Sequence, residues 1–285
     1  MNTNRILQVS DPHLSRTRAY YQDNWELVLE WIEAERPELV VVTGDITLDD
    51  PDGLEDLVFA RQQLDRIPVP WRVIPGNHDI GECAAIREAP KRVTAERRQR
   101  WVDIFGTDYW RHDIGGWTLI GVNSQILNSE GLAAEDEQTE WLSATLAEIP
   151  ADRPIGLFVH KPLFMDHMSE EIVSGTCLDP IARRRLAEPF AGKSLRLVAC
   201  GHKHQYRSFG LDGVIHLWAP ATSTVNFPPD VMMWGQRVVG FVDIRLGEKG
   251  LRQRLVGADF LFRHESYIRK MEYGSVMGSP EQHYA

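Results

Sequence analysis

The stretch ILQVSDPHLS, residues 6–15, joins a strand-like apolar run to an aspartate, a proline and a histidine. Its first half suits a buried strand, because large and β-branched apolar side chains are enriched in strands. On their own, Asp11 and Pro12 would form an ordinary turn that ends the strand. The same event recurs further along the chain, however, and this recurrence favours a functional role for the polar residues.

Four further apolar strands also end in side chains with oxygen or nitrogen donor atoms. These strands are predicted at 38–44 (ELVVVTG), 71–77 (WRVIPGN), 155–160 (IGLFVH) and 195–201 (LRLVACG). The donor side chains at or after their ends are Asp45, Asn77, His78, Asp79, His160, His202 and His204. In open α/β sheets, ligands bind outside the carboxyl ends of the strands. We therefore expect these side chains, together with Asp11 and His13, to meet at one edge of the sheet.

This set has the stoichiometry of a metal site, with three Asp or Asn oxygens and four imidazoles. A zinc ion takes four protein ligands, or about three and a water, so seven ligands are too many for one ion. They suit two ions about 3.5–4 Å apart that share a carboxylate, an arrangement used on phosphate esters. Mixed imidazole and carboxylate donors favour Mn, Fe, Co, Ni or Zn over Mg or Ca. Cys200 lies inside an apolar strand and is assigned to the core.

Helical patterns alternate with these strands up to residue 201. Helices are predicted at 24–35, 54–67, 92–105, 135–148 and 179–188, and a hairpin at 108–113 and 117–122. After residue 205, short strands follow one another with no helix between them. Alternating strands and helices predict an α/β fold with helices outside and sheet inside, and this one ends in an antiparallel β region.

One domain is expected over residues 1–257, because no internal repeat, low-complexity tract or linker interrupts the pattern. Residues 258–285 are predicted to form a C-terminal tail that either packs as an arm or stays mobile. Its aromatic residues are Phe260, Phe262, Tyr267, Tyr273 and Tyr284.

The composition is that of a soluble globular protein, with 43% hydrophobic and 25% charged residues. A net charge of −10 disfavours a long nucleic acid as a partner. The basic run at 91–100 is interpreted as a solvated helix face. Three cysteines with no framework spacing fit reduced thiols. With no signal peptide or membrane span in the sequence, a cytoplasmic location without a membrane partner is expected.

The ordered motifs DPH (11–13), GD (44–45), GNHD (76–79), HKP (160–162) and GHKH (201–204) resemble those of the calcineurin-like metallophosphoesterases. Within that family, the chain most resembles the bacterial cyclic-nucleotide-phosphodiesterase-like branch. The resemblance implies a four-layer α/β/β/α sandwich of two mixed sheets flanked by helices. The β-rich end after residue 205 is expected to supply the second sheet.

The resemblance also implies a role for each residue of the set. It places Asp11, His13 and His204 on a first metal, Asn77, His160 and His202 on a second, and Asp45 between both. A hydroxide between the two divalent or mixed-valent ions attacks phosphorus in line. His78 contacts the phosphoryl oxygens and assists the leaving group, and Asp79 orients its ring. Asp11 and His13 are expected to point the same way because residues two apart in a strand do so.

The chain departs from the family pattern at two positions. Diesterases of the branch often carry a second histidine where this chain has Lys161, which remains able to pair with a phosphate or a carboxylate. Leu48 occupies the position of the tyrosine that binds ferric iron in plant purple phosphatases, so an Fe(III)–tyrosinate site is not expected. The segments 81–107 and 164–175 are expected to overhang the metals. Asp166 and His167 are interpreted either as substrate contacts or as exposed loop residues.

The leading functional hypothesis is a metal-dependent phosphodiesterase that acts on a small or cyclic-nucleotide-like phosphate ester. A phosphomonoesterase, or a phosphonate or phospholipid-headgroup hydrolase, would use the same site. A non-catalytic scaffold is less favoured, because such proteins typically lose ligands and this chain keeps the whole set. A homo-oligomer is left open as the quaternary state.

Overall fold

The computed structural model describes residues 3–48, 51–87, 89–129, 131–226, 233–248 and 250–265. The strands in chain order are β1 (Asn4–Val9), β2 (Leu39–Val42), β3 (Trp71–Val73), β4 (Trp110–Ile114), β5 (Trp117–Gly121), β6 (Pro154–Phe158), β7 (Ser194–Cys200), β8 (Arg207–Leu211), β9 (Val214–Trp218), β10 (Thr224–Val225), β11 (Phe241–Gly247), β12 (Gly250–Val256) and β13 (His264–Glu265). The helices are α1 (Gln22–Glu35), α2 (Leu54–Leu64), α3 (Asn77–Ile80), α4 (Ala95–Phe105), α5 (Ala133–Glu148) and α6 (Pro180–Ala187), with a 3-10 turn at Glu188–Phe190. The predicted alternation of strands and helices is confirmed, and sequence analysis missed only short elements such as α3.

Two large mixed sheets form the centre of the molecule. The first has the order β12-β11-β1-β2-β3, in which β1, β2 and β3 are parallel and β11 runs antiparallel to β1. The second has the order β4-β5-β6-β7-β9-β8, in which β5, β6, β7 and β9 are parallel. The predicted hairpin joins β4 to β5 in antiparallel register. A short third sheet pairs β10 with β13.

The alternation of side chains along the strands explains why the sheets stack into layers. On β1, Ile6 packs in a cluster with Leu197 and Leu217 of the second sheet, whereas Leu7 packs with Trp25 of α1. Successive strand residues point to opposite faces, so each sheet buries one face on the other sheet and one on helices. Helices α1, α2 and α4 cover the first sheet, and α5 and α6 cover the second. The predicted four-layer α/β/β/α sandwich is confirmed.

The long strands after residue 205 are divided between the two large sheets. Strands β8 and β9 extend the second sheet, where β9 lies parallel to β7. Strands β11 and β12 return to the first sheet, where β11 covers the edge of β1. The expectation that this region supplies the second sheet is therefore wrong in part. Local alternation reveals a strand but not its partner, because pairing is decided by contacts that are distant in sequence.

The segment that follows residue 257 packs on the domain over the part that the structure describes. Leu261 is buried in the core cluster beneath the first sheet. The Asn24 side chain bonds both the N–H and the carbonyl of Phe262, at 2.7 and 2.8 Å. The described part of the predicted tail thus packs against the domain, as an arm would. Residues 266–285, including Tyr267, lie outside the described residues.

The basic run at 91–100 is neutralised by acidic partners. Arg97 bonds Asp52 at 2.8 Å, and Arg98 bonds the buried Asp108 at 2.7 Å. These pairs place α4 against neighbouring loops.

No helix within the described ranges has the length and apolar content needed to cross a membrane.

Candidate metal centre

Loops that follow strands of both sheets converge on one site. The Asp11 carboxylate, after β1, accepts hydrogen bonds from the His202 N–H, after β7, at 3.0 and 3.2 Å. The Asp45 carboxylate, after β2, lies 3.3 Å from Nε2 of His160, after β6. The expectation of a single sheet edge is therefore wrong. The donors come from two sheets that face each other, and the site lies where their loops meet.

A first donor cluster consists of Asp11, His13 and His204, all buried. The Nε2 atoms of His13 and His204 lie 3.2 Å apart, and His204 Nε2 lies 3.3 Å from Asp11 Oδ1. Two ring nitrogens and a carboxylate oxygen, all buried, thus lie close enough together to bind a common partner. Two imidazoles and a carboxylate that converge in this way fit one transition metal ion.

A second donor cluster consists of Asp45, His160 and His202, whose donor atoms lie within 4.8 Å of one another. Asn77 joins it, because its Oδ1 lies 3.1 Å from His160 Nε2. Asp45 Oδ2 is also 4.0 Å from His13 Nε2 in the first cluster. The structure thus brings together all seven predicted ligands, with Asp45 between the two clusters.

Backbone carbonyls orient three of the imidazoles through the nitrogen that faces away from the site. The bonds run from Nδ1 of His13 to Thr47 (3.2 Å), of His160 to Thr43 (2.8 Å) and of His204 to Thr224 (3.0 Å). A carbonyl can only accept, so Nδ1 carries the proton and Nε2 is left for a metal. This arrangement is typical of metal-binding histidines.

His202 has the opposite orientation. Its Nε2 donates to the Gly175 carbonyl at 2.7 Å, which leaves Nδ1 to face the site. Burial and the nearby positive charge of Lys161 hold the pKa of His202 well below its usual range. The neutral imidazole is the form that binds a metal. Sequence analysis did not identify Gly175, because any residue type supplies a carbonyl.

The backbone is strained at most of these ligands. Among the described residues, eight other than glycine have a positive φ, and five of them are predicted ligands. The five are Asp11 (52°), His13 (48°), Asp45 (51°), His202 (67°) and His204 (49°). Such conformations cost of order 1–3 kcal/mol each and concentrate at functional sites. The expectation that Asp11 and His13 point the same way in an extended strand is therefore wrong, since sharp left-handed turns bring them together.

The two central groups of the site hold opposite charges. Burial alone would raise the pKa of the Asp45 carboxyl, but the neighbouring His160 and His78 hold it well below its usual range. Burial would likewise lower the pKa of His160, but the Asp45 carboxylate raises it to about 9. A metal ion must displace the proton from such an imidazole when it binds.

His78 lies at the rim of the site. Its side chain is 25% exposed, and its Nε2 lies 3.9 Å from Asp45 Oδ2. Its Nδ1 donates to the Leu48 carbonyl at 2.6 Å. The donor atoms of His13, Asp45 and His78 also lie within 4.8 Å of one another, so distance alone does not separate His78 from the ligands.

Asp79 does not orient the ring of His78, contrary to expectation. Its carboxylate is buried and accepts from the N–H groups of Gly76 (2.8 Å), Ile46 (3.0 Å) and Thr47 (2.9 Å). Burial, and then the charge of Asp45, raise the pKa of Asp79 to about 6. Consecutive residues on the short helix α3 face different directions, so Asp79 ties the loops after β2 and β3 together while His78 faces the rim.

Lys161 is fully buried, and its Nζ pairs with Glu82 in the segment that follows α3. It therefore anchors that segment. Its burial argues against the interpretation that Lys161 pairs with a phosphate or carboxylate of the substrate. Asp166 and His167 are exposed, so the structure places them as loop residues. The loop that carries them does reach the site, but through Gly175.

A family model for calcineurin-like phosphoesterases matches residues 4–206 of this chain. This protein belongs to the calcineurin-like phosphoesterase family. The matched range includes all seven candidate ligands, His78 and Asp79. The family expected from the ordered motifs is thus confirmed.

Two proteins illustrate the similarity in sequence. Human serine/threonine-protein phosphatase CPPED1 is 28% identical over 181 residues, which cover 60% of this chain and 54% of that protein. A probable glycerophosphodiester phosphodiesterase GpdQ of Arcobacter nitrofigilis is 29% identical over 232 residues, which cover 76% of this chain and 78% of that protein. The calcineurin-like chain described here thus matches about half the length of CPPED1.

Among solved structures, purple acid phosphatase PPD1 from yellow lupin shares the fold. It superposes with a TM-score of 0.67 over 92% of this chain and 53% of that chain, at 14% identity. At this identity, the likeness concerns the layered fold and not the chemistry.

Proposed function

We propose that this protein is a phosphodiesterase that uses two transition metal ions to hydrolyse a small or cyclic-nucleotide-like diester. The observation that carries the proposal is the position of the Asp45 carboxylate. Its Oδ2 lies 3.3 Å from His160 Nε2 and 4.0 Å from His13 Nε2, so one side chain faces both donor clusters. A carboxylate shared by two ions about 3.5–4 Å apart is used to clamp the oxygens of a phosphate ester during hydrolysis.

The donor set supports this choice of cofactor. The first ion would be held by Asp11, His13 and His204, the second by Asn77, His160 and His202, and both by Asp45. Imidazoles and carboxylates without a thiolate suit Mn, Fe, Co, Ni or Zn, in divalent or mixed-valent pairs. When bound, the two ions would supply an activated hydroxide and offset the charge of the phosphate.

His78 is proposed to donate a proton to the leaving group. The Leu48 carbonyl requires a proton on Nδ1, so Nε2 can donate only from the doubly protonated ring. The Asp45 carboxylate lies 3.9 Å from Nε2, so the donated proton would be held beside the two ions. Asp79 acts indirectly, because it fixes the loops that carry Asp45 and His78.

A phosphomonoesterase at the same site is the second candidate. It is favoured by the likeness to CPPED1, which is named a protein phosphatase. It is also favoured by Lys161, which replaces the second histidine typical of diesterases in the branch and is buried against Glu82. The likeness to GpdQ, which covers more of this chain, favours the diesterase.

Hydrolysis of two model substrates decides between these candidates. Chelator-stripped protein, with Mn, Fe, Co, Ni or Zn added back, is assayed on bis(p-nitrophenyl) phosphate and on p-nitrophenyl phosphate. The proposal predicts a metal-dependent preference for the diester. Preference for the monoester would move the assignment to a phosphatase. No hydrolysis of either substrate with any of the metals would contradict both candidate functions.

A cytoplasmic location is also proposed. Cys83, Cys177 and Cys200 are free, buried thiols, which suit a reducing compartment. The expected partner is the small phosphate ester itself. A homo-oligomer stays a prediction that light scattering on the purified protein decides.

A further inference from the structure

A long loop between β6 and α6 lies directly beside the second donor cluster. We call residues 163–178 the Gly175 loop. The Leu178 N–H donates to the Pro162 carbonyl at 2.9 Å and closes the base of the loop. At its far side, the Gly175 carbonyl accepts from His202 Nε2 at 2.7 Å. The loop thus supplies the partner that fixes the ring orientation of a candidate ligand.

Arg183 on α6 holds the Gly175 loop from the inside. Its side chain is only 1% exposed. Its guanidinium donates to the carbonyls of Leu163 (2.8 Å), Met168 (2.7 Å), Glu170 (2.9 Å) and Leu178 (3.2 Å). These carbonyls lie at both ends and in the middle of the loop. A single side chain therefore sets the path of the chain that leads to Gly175.

Glu170 completes the interior of the loop. Its carboxylate accepts from the N–H groups of Met165 (2.7 Å) and Asp166 (3.1 Å), and lies 3.7 Å from Arg183 Nη2. From the second sheet, Arg207 donates to the Met165 carbonyl at 2.6 Å. Because these bonds hold residues 163–170 and Leu178 on either side of Gly175, a change at Arg183 is expected to shift the path of the chain that leads to Gly175.

We propose that Arg183 is a positioning residue for the second metal ion. It touches no ligand and acts through the Gly175 carbonyl, which presents His202 Nδ1 to the ion. The inference rests on the proposed two-metal function. His13 and His204, on the first ion, take their orienting carbonyls from Thr47 and Thr224, outside the Gly175 loop. Loss of Arg183 therefore weakens binding of the second ion and leaves binding of the first unchanged.

The test is a metal titration of the Arg183→Lys variant. Lysine keeps the charge but lacks the planar fork that reaches several carbonyls at once. Chelator-stripped full-length protein is titrated with Mn²⁺ by calorimetry, and diester hydrolysis is followed in parallel. Outer-sphere changes lower metal affinity by about 10–100-fold, so this loss is expected for the second ion only. Excess Mn²⁺ should restore hydrolysis, and an unchanged affinity for the first ion distinguishes this effect from a general loss of stability.

The neighbouring Arg184 provides a matched control. Its side chain is 64% exposed and lies 3.5 Å from Glu171. Arg184→Lys should leave both affinities unchanged. If Arg183→Lys does not fold, Glu170→Gln removes the charge that faces Arg183 and should weaken the second ion in the same direction.

Two results would overturn the inference. In the first, the wild type binds two ions, and Arg183→Lys binds the second ion with unchanged affinity. If Arg183→Lys does not fold, the same result in Glu170→Gln counts. The other is equal weakening of both ions, which would indicate a general loss of structure. Wild-type protein that binds fewer than two ions would instead contradict the proposed function, so the two failures are distinguishable.

Discussion

The two halves of the proposed metal centre are supported in different ways. In the first half, the loops after β1, β2 and β7 hold the ligands, and the Thr47 and Thr224 carbonyls orient His13 and His204. In the second half, the carbonyl that orients His202 comes from a long loop whose path depends on Arg183. The sequence motifs do not distinguish the ligands of the two halves, but the structure shows that the two halves are oriented by different parts of the chain. The comparison predicts that the second ion is the more easily lost.

The largest effect is expected from Asp45→Ala, because Asp45 belongs to both halves. The variant should bind neither ion at concentrations that saturate the wild type, and its hydrolysis should fall to the level of metal-free protein. Elemental analysis after dialysis measures the first effect, and the diester assay measures the second.

Asp212→Ala is the control for this variant. Asp212 has nearly the same backbone conformation, with a φ of 50° against 51° for Asp45, but lies in the exposed turn before β9. Its replacement should change neither metal content nor rate. An Asp45→Ala protein that retains two ions and normal turnover would break the comparison, because the halves would then share no ligand.

His78→Ala is expected to have the next largest effect. General acid catalysis contributes about 10²–10⁴-fold, so kcat should fall by this factor while metal content stays unchanged. The fall should be greatest for substrates with poor leaving groups. His167→Ala, in an exposed part of the Gly175 loop, is the control. Loss of an ion from His78→Ala would instead make His78 a ligand, which its distance to Asp45 allows.

Lys161→Met tests the buried ion pair with Glu82, which anchors the segment after α3 beside the second half. Removal of one partner from a charged hydrogen bond should lower the free energy of unfolding by about 1–3 kcal/mol. The KM for the diester should stay within about twofold, because Lys161 is fully buried. Chemical denaturation and steady-state kinetics measure the two quantities.

The double variant Lys161→Met, Glu82→Gln distinguishes the ion pair from a substrate contact. The two changes should together destabilise the protein less than the sum of the single changes. A large rise in KM with unchanged stability would show that Lys161 contacts the substrate.

The last expected effect concerns the metal-free protein, whose stability should depend on pH. Burial would lower the pKa of His160, but the Asp45 carboxylate raises it to about 9. The folded pKa thus lies above the value of about 6.5 in the unfolded chain. Protonated His160 stabilises the metal-free fold below pH ~6.5, and this contribution is lost as pH rises through about 9. The thermal midpoint should fall over this range more steeply in wild type than in His160→Asn, and equal slopes would contradict the assignment.

The convergence of the seven candidate ligands could be predicted from the sequence because residue type carries its signal. Asp, Asn and His are among the few residue types with suitable donor atoms, and their place after apolar strands located them in the fold. The four layers followed from the resemblance and not from periodicity. The division of the last strands between two sheets was missed, because pairing of β11 with β1 joins segments more than two hundred residues apart.

The support of the second half could not be predicted for a different reason. Arg183 stands beside Arg184 and Arg185, and nothing in that run indicates which arginine faces inward. Its partners are backbone carbonyls, which every residue type supplies. The role of Asp79 could not be predicted for the same reason. Its carboxylate accepts hydrogen bonds from backbone N–H groups of neighbouring loops, which almost any residue type supplies.

The number of metal ions bound per chain tests the central claim most directly. Chelator-stripped full-length protein is dialysed against increasing Mn²⁺, bound metal is counted, and hydrolysis of bis(p-nitrophenyl) phosphate is measured at each step. The account predicts two ions per chain, with hydrolysis rising as the second ion binds. Full activity with one ion per chain, or no bound metal at saturating Mn²⁺, would contradict it.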